Sequence, residues 1–426
     1  MRLIKNQLIA GSAVLFASAM VGNVGNYLYH LLMGRMLGPA NYGVLTSLIS
    51  LAYLLGVPTA TLSLTVVKYT SGLGANKKLG PVLSFYSWLN KKVAVFVWLG
   101  LVVLLLVSPK IASFLHLESL FLVWLMGACS LVGIYATISG ATLQGLLKFN
   151  LLAVSSIVSV TLKLGLSVLL VLAGLGIWGA ALPFLISSLV GLFLLRFYVN
   201  RLLVGKQEEA KKIVGARELF TYAWPVFLSA LAFTSLYTTD LLLARHFLSA
   251  QMAGYYASLA TLGKIVFFAS SPIVMVMFPL ISARHENGQD YRQTLNLSLI
   301  LVLLASLGIT GFYFLFPRFM IKVLYGADYL AAAPYLVYFS IFLSFYALVS
   351  VLVNYYLSIK KVKIVFFPVL AALAQVLLIL IFHQSLLQIV LVSIVVLGLL
   401  LIALLGYHLW ENGKKQQASF GDCSCL

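Results

Sequence analysis

The stretch Gly34-Arg35-Met36-Leu37-Gly38-Pro39-Ala40-Asn41-Tyr42-Gly43 separates two long apolar runs. It combines one arginine, a tight turn of small residues, and a glycine beside a tyrosine that opens the next run. A second copy of this arrangement occurs later, as Ala244-Arg245-His246-Phe247-Leu248-Ser249-Ala250-Gln251-Met252-Ala253-Gly254-Tyr255. Proline follows each copy, at Pro58 and at Pro272. Further on, Gln144-Gly145-Leu146-Leu147-Lys148 has its counterpart in Leu357-Ser358-Ile359-Lys360-Lys361. The offsets are nearly constant: 210 residues from Arg35 to Arg245, 212 from Lys148 to Lys360 and 214 from Pro58 to Pro272. Such a shift reads as an internal repeat of about half the chain.

Composition says what surrounds that repeat. Of 426 residues, 62% are hydrophobic and 9% charged, against roughly 25% charged in an ordinary soluble domain. Mean hydropathy is +1.06. Lipid must be the solvent for most of such a surface.

A spanning helix needs about 20 mostly apolar residues. Runs of that kind fall at 8–32, 42–67, 83–107, 119–142, 151–172, 177–199, 219–243, 254–281, 294–317, 330–357, 364–383 and 387–409. The expectation is an all-α integral membrane protein with about twelve transmembrane helices. The first run is too long for a signal-peptide core and reads as a span.

Net charge is +18. Nucleic acid is excluded as the reason, because the basic residues sit in short loops between apolar runs. With a cytoplasmic N-terminus, 21 Lys and Arg fall on the inner side and 5 on the outer, with Lys163 and Lys264 inside spans. The positive-inside rule then puts both termini in the cytoplasm. Six spans per repeat is an even number, so both halves insert with the same orientation. A pseudo-two-fold axis along the membrane normal follows, with a cavity between the lobes. The expected domains are an N-terminal six-helix lobe (1–200), a cytoplasmic linker (201–218), a C-terminal six-helix lobe (219–410) and a cytoplasmic tail (411–426).

Three cysteines, Cys129, Cys423 and Cys425, make no disulfide framework. The terminal Cys423-Ser424-Cys425-Leu426 superficially resembles a prenylation box, but a chain of twelve spans needs no lipid anchor. No metal-ligand cluster and no cofactor motif occur. Every outer loop is short, and the reading is a transporter rather than an enzyme.

The Gly34-Arg35-Met36-Leu37-Gly38-Pro39-x-x-Tyr42-Gly43 element, with Leu324-Tyr325-Gly326-Ala327-Asp328-Tyr329, resembles the polysaccharide and O-antigen (Wzx-type) flippases. Those belong to the multidrug/oligosaccharidyl-lipid/polysaccharide (MOP) exporter superfamily. The resemblance covers essentially the whole chain in segment order and span count. It implies a V-shaped, MATE-like pair of six-helix lobes in the inner (cytoplasmic) membrane. It also implies movement of an undecaprenyl-diphosphate-linked oligosaccharide from the inner to the outer leaflet by alternating access, for cell-surface polysaccharide biosynthesis. The partners implied are that glycan lipid, membrane lipids and polysaccharide polymerase machinery. A lipid II flippase usually carries fourteen spans, so twelve spans speak against that branch.

Charges inside spans are the candidate site residues. Lys163 lies about nine residues from the nearer end of its run, roughly 13 Å at the helical rise. A lysine stem of about 6 Å cannot snorkel that far. A mid-span lysine costs about 2.5–3.5 kcal/mol on insertion scales, so it should face a wet cavity or a polar partner. Lys264 is argued the same way. Both are expected to receive the phosphates of the headgroup, with Arg35 and Arg245 near the outer mouth.

On the first span, Asn23, Asn26 and His30 share a face at helical spacing. With Tyr27 they form a polar stripe suited to sugar hydroxyls. Gln144, Asn354 and Gln375 are weaker candidates, and the many Tyr and Phe are assigned to packing and interfacial belts. Asp240 is the only acidic residue in or near a span. Placed within about a turn of the outer end of its run, it reads as solvated, as a counter-ion to Lys264 or Arg245, or as a coupling site. An ion-coupled multidrug exporter of the same fold is the alternative function, and it would need more buried carboxylate than this.

Overall fold

The computed structural model describes residues 2–74, 79–204, 216–287 and 289–421. The linker residues 205–215 and the terminal cysteines Cys423 and Cys425 lie outside the described residues.

The described residues are helical apart from short turns and form no strand. In chain order the elements are α1 (Arg2–Leu55), α2 (Val57–Gly74), α3 (Gly80–Phe114), α4 (Leu120–Gly145), α5 (Phe149–Leu170), α6 (Gly176–Leu203), α7 (Ala216–Phe247), α8 (Ala250–Glu286), α9 (Arg292–Leu315), α10 (Pro317–Leu324), α11 (Leu336–Ser358), α12 (Phe366–Ile381) and α13 (Leu386–Gly421). A helix satisfies its own backbone, which is why it suits a chain this apolar.

Among the described residues, ten helical elements are long and apolar enough to cross a membrane. Two of them, Phe16–Leu73 and Phe149–Leu203, are 58 and 55 residues long. At about 1.5 Å per residue each exceeds twice the roughly 30 Å hydrocarbon core. Both are interrupted. Gly38 leaves helical geometry at φ 70° inside α1, just before Pro39. Gly174 and Gly176 have φ of 89° and 51° between α5 and α6.

The chain divides into two compact units. Unit 1 comprises Met1–Thr234 and Ser249–Gly254; unit 2 comprises Ser235–Leu248 and Tyr255–Leu426. In unit 1, α5 packs on α1 and α6, while α4 packs on α2, α3 and α6. Its buried core runs through Val66, Phe85, Tyr86, Leu89, Ile138, Leu143 and Val199. The short Ser249–Gly254 piece joins unit 1 through Gly254, where a Cβ would lie 1.9 Å from the Pro39 carbonyl oxygen.

The α1–α5 seam is close because Gly25 carries no side chain. A Cβ there would lie 2.3 Å from Cγ1 of Val160. Small residues at such seams let membrane helices approach and gain dispersion contacts. In unit 2, α11 is the buried axis, flanked by α9 and α13, and α12 packs on α13. In unit 1, α3 exposes Phe96, Trp98, Val103 and Leu106, a surface for lipid tails.

Candidate functional site

In unit 1 the site is built around Lys163 on α5. Its ammonium donates to Oδ1 of Asn26 on α1. It also stands 5.0 Å from the ring centroid of Tyr29 and 4.7 Å from that of Phe184. The two rings meet edge to face at 5.2 Å. Tyr29 is fully buried and its hydroxyl donates to the Ala180 carbonyl at 2.9 Å, which fixes the ring against α6. Quadrupole attraction from two aromatic faces holds a cation in a dry setting. Lys163 forms no ion pair among the described residues.

Lys163 opens on a cavity of about 340 Å³, lined also by Tyr53, Cys129, Ser130, Ser159, Phe184, Ser187 and Ser188. Four serines and one ammonium on an otherwise apolar wall can orient a hydroxylated anion. Ser130, Ser187 and Ser188 donate to carbonyls of their own helices, so their oxygens remain as acceptors for ligand hydroxyls.

The α1 stripe divides. Asn26 reaches Lys163. His30 pairs through Nδ1 with the Tyr42 hydroxyl at 3.2 Å instead. Asn23 is exposed, and Tyr27 is half-buried. Tyr29 and Phe184, assigned from sequence to packing and belts, stand against the ammonium. No periodicity argument separates a ring facing a cation from a ring facing lipid.

Unit 2 holds a second polar cluster. Asp240 is buried, 1% exposed, and accepts a 2.6 Å hydrogen bond from the Tyr256 hydroxyl. Of the readings the sequence left open, solvation near the helix end is set aside, because α7 runs on to Phe247 and the carboxylate is buried against Tyr256 of α8. Lys264 lies close enough to attract the Asp240 carboxylate, and its ammonium stands 5.2 Å from the Tyr237 ring centroid.

Gln375 donates to the Leu236 carbonyl at 3.3 Å and to Ser393 Oγ at 2.9 Å. That is a structural role tying α12 to α7 and α13. Asn354 donates to the Ser350 carbonyl one turn back on its own helix, and Gln144 is exposed. Arg35 is exposed whereas Arg245 is 5% exposed, so the two arginines paired by the sequence offsets occupy unlike surroundings. No group of three or more His, Cys, Asp or Glu placed to hold a metal occurs among the described residues.

No curated protein matches the chain. Solved structures do. The lipid II flippase MurJ in an inward closed conformation is similar at 17% identity, over 94% of this chain and 87% of that one, with a TM-score of 0.72. An inward-facing MATE family multidrug resistance transporter of the MOP superfamily is similar at 16% identity, over 97% and 99%, with a TM-score of 0.69. A MOP superfamily transporter from Pyrococcus furiosus, described as having a binding pocket of reverse polarity that suggests a different function, is similar at 17% identity, over 92% and 94%, with a TM-score of 0.60. The fold is thus that of MurJ and MATE proteins. A family model described as polysaccharide biosynthesis protein matches residues 32–334, well over half of the sequence, and the chain belongs to that family of multi-pass membrane proteins.

Proposed function

We propose that this protein carries a lipid-linked oligosaccharide, on an undecaprenyl-diphosphate carrier, from the inner to the outer leaflet of the cytoplasmic membrane by alternating access. The observation that carries the reading is Lys163. It is an intramembrane cation with no carboxylate partner among the described residues, opening on a serine-lined cavity. A diphosphate supplies the missing counter-charge, and sugar hydroxyls suit the serines. Membership of a polysaccharide biosynthesis family and the fold likeness to a lipid II flippase support the same conclusion.

The finer reading is twelve crossings in two six-helix halves. The breaks at Gly38 and at Gly174–Gly176 divide the two over-long elements. Both termini lie on the Lys/Arg-rich cytoplasmic face, and the product is delivered to polysaccharide polymerase machinery. Membrane potential, negative inside, favours outward movement of an anion by about 2.3 kcal/mol per charge per 100 mV across the full field.

Asp240 with Lys264 supports a coupling or counter-ion role in unit 2. A cationic-drug exporter shares the fold, but the charge on the unit 1 cavity is Lys163, which repels a cationic cargo.

The test is flipping of a fluorescent undecaprenyl-diphosphate glycan in proteoliposomes. Transport by wild type and its loss in Lys163→Ala, with thermal unfolding unchanged, is the expected result. Export of a cationic dye dependent on Asp240, with no glycan lipid moved, overturns it.

A further inference from the structure

A second cation lies outside this machinery, on the outer wall of unit 1. Arg196 projects from α6 across Tyr135 of α4, its guanidinium carbon 5.1 Å from the ring centroid. One Nη reaches Oδ1 of Asn90 on α3 at 3.5 Å. Arg196 forms no ion pair among the described residues. A guanidinium carries five N–H donors in a planar fork, so most of this one is uncommitted. The stack on Tyr135 and the bond to Asn90 hold the fork in place, which lowers the entropy lost when it binds a ligand. Lys91, beside Asn90, is exposed and brings a second positive charge to the same neighbourhood.

Depth identifies what such a fork meets. Arg196 lies 20 residues after Gly176, the start of α6. That is roughly 30 Å of helix, the thickness of the hydrocarbon core. It therefore stands at headgroup level, on the face that carries most of the loop lysines and arginines. Toward the membrane centre the same face of α6 exposes Phe193 and Leu189, at 68% and 47%. An alkyl chain can run along that strip from a headgroup anchored at Arg196.

We propose that Arg196 anchors the headgroup phosphate of one anionic glycerophospholipid on the Lys/Arg-rich face of the membrane, at the α3–α4–α6 wall of unit 1. Arginine matches phosphate bidentately, and basic sites between membrane helices on this face recruit anionic lipid. The wall opens to the bulk leaflet, where glycerophospholipid far outnumbers any carrier lipid. Mass action fills it accordingly.

The test uses purified full-length protein in nanodiscs of mixed phosphatidylglycerol and phosphatidylcholine. Lipids retained on extraction are read by native mass spectrometry. Wild type should retain one phosphatidylglycerol in preference to phosphatidylcholine. Arg196→Ala should lose that preference by roughly tenfold, the scale of one charge-assisted contact, and Arg196→Lys should keep part of it. Arg196→Gln serves if the alanine variant is unfolded by thermal melting. Arg201→Ala, on the same helix, is the control and should change nothing. Equal retention of the two lipids by wild type, or full retention by both Arg196→Ala and Arg196→Gln, overturns the proposal. Displacement of the bound lipid by equimolar undecaprenyl diphosphate also overturns it and assigns the anchor to the carrier lipid.

Discussion

Lys163 and Asn26 stand 137 residues apart in sequence and meet across the α1–α5 seam, ammonium donating to amide oxygen. Neither residue explains the other from sequence, and each is half-buried. Together they set a cation at the edge of a cavity with one neutral oxygen and two aromatic faces, and they leave room for an anion to complete the shell.

Removing the charge separates its two roles. Lys163→Met keeps the stem and discards the ammonium, so it should abolish glycan-lipid flipping while leaving thermal stability equal or higher. Asn26→Leu does the reverse. It strips the ammonium of its oxygen partner and should cost about 1–3 kcal/mol. Chemical denaturation in detergent beside the transport assay distinguishes these outcomes.

Gly25 is the residue that lets the seam close. A Cβ at that position meets Cγ1 of Val160 at 2.3 Å. Gly25→Val should therefore cost about 1–3 kcal/mol through overpacking. Trimming the partner should relieve it: Val160→Ala in the Gly25→Ala background should destabilise less than the sum of the single changes. A double-mutant cycle on unfolding midpoints measures that coupling.

Asp240 receives its 2.6 Å bond from Tyr256 in a buried setting. Tyr256→Phe should cost about 1.5–3 kcal/mol, the range for a hydrogen bond to a charged group. Asp240→Leu should cost about 3–5 kcal/mol by stranding the charge of Lys264, and Asp240→Leu with Lys264→Met should recover much of that loss. Thermal melts of the four proteins decide it. A double-variant loss equal to the sum of the Asp240→Leu and Lys264→Met losses shows the two charges to be independent.

Cys129 lines the Lys163 cavity and serves as a reporter. With Cys423 and Cys425 changed to serine, it is the one thiol in the chain. Labelling by a small maleimide should slow several-fold when the glycan lipid is bound, and it should be unaffected by undecaprenyl monophosphate lacking sugar. Labelling rates followed by mass spectrometry give the answer.

The sequence alone determined that the chain is a helical membrane protein. Apolar run length, loop charge and the recurrence of the Gly34–Gly43 element are local properties, and lipid imposes the same helical solution on every such run. It also marked Lys163, Lys264 and Asp240, because a charge in an apolar run stands out wherever the run packs. What the sequence could not supply was the company those charges keep. Polar residues on one helix face share a direction but not a destination: Asn26 turned out to face Lys163, while His30 faces Tyr42. Tyr29 and Phe184 look like any other membrane aromatics until α5 and α6 bring Lys163 between them. Asp240 was read as near a helix end, and packing against α8 buries it beside Tyr256. In each case the deciding contact joins helices far apart in sequence. Such contacts are fixed by which small residues let two helices approach, and only the tertiary structure reveals that.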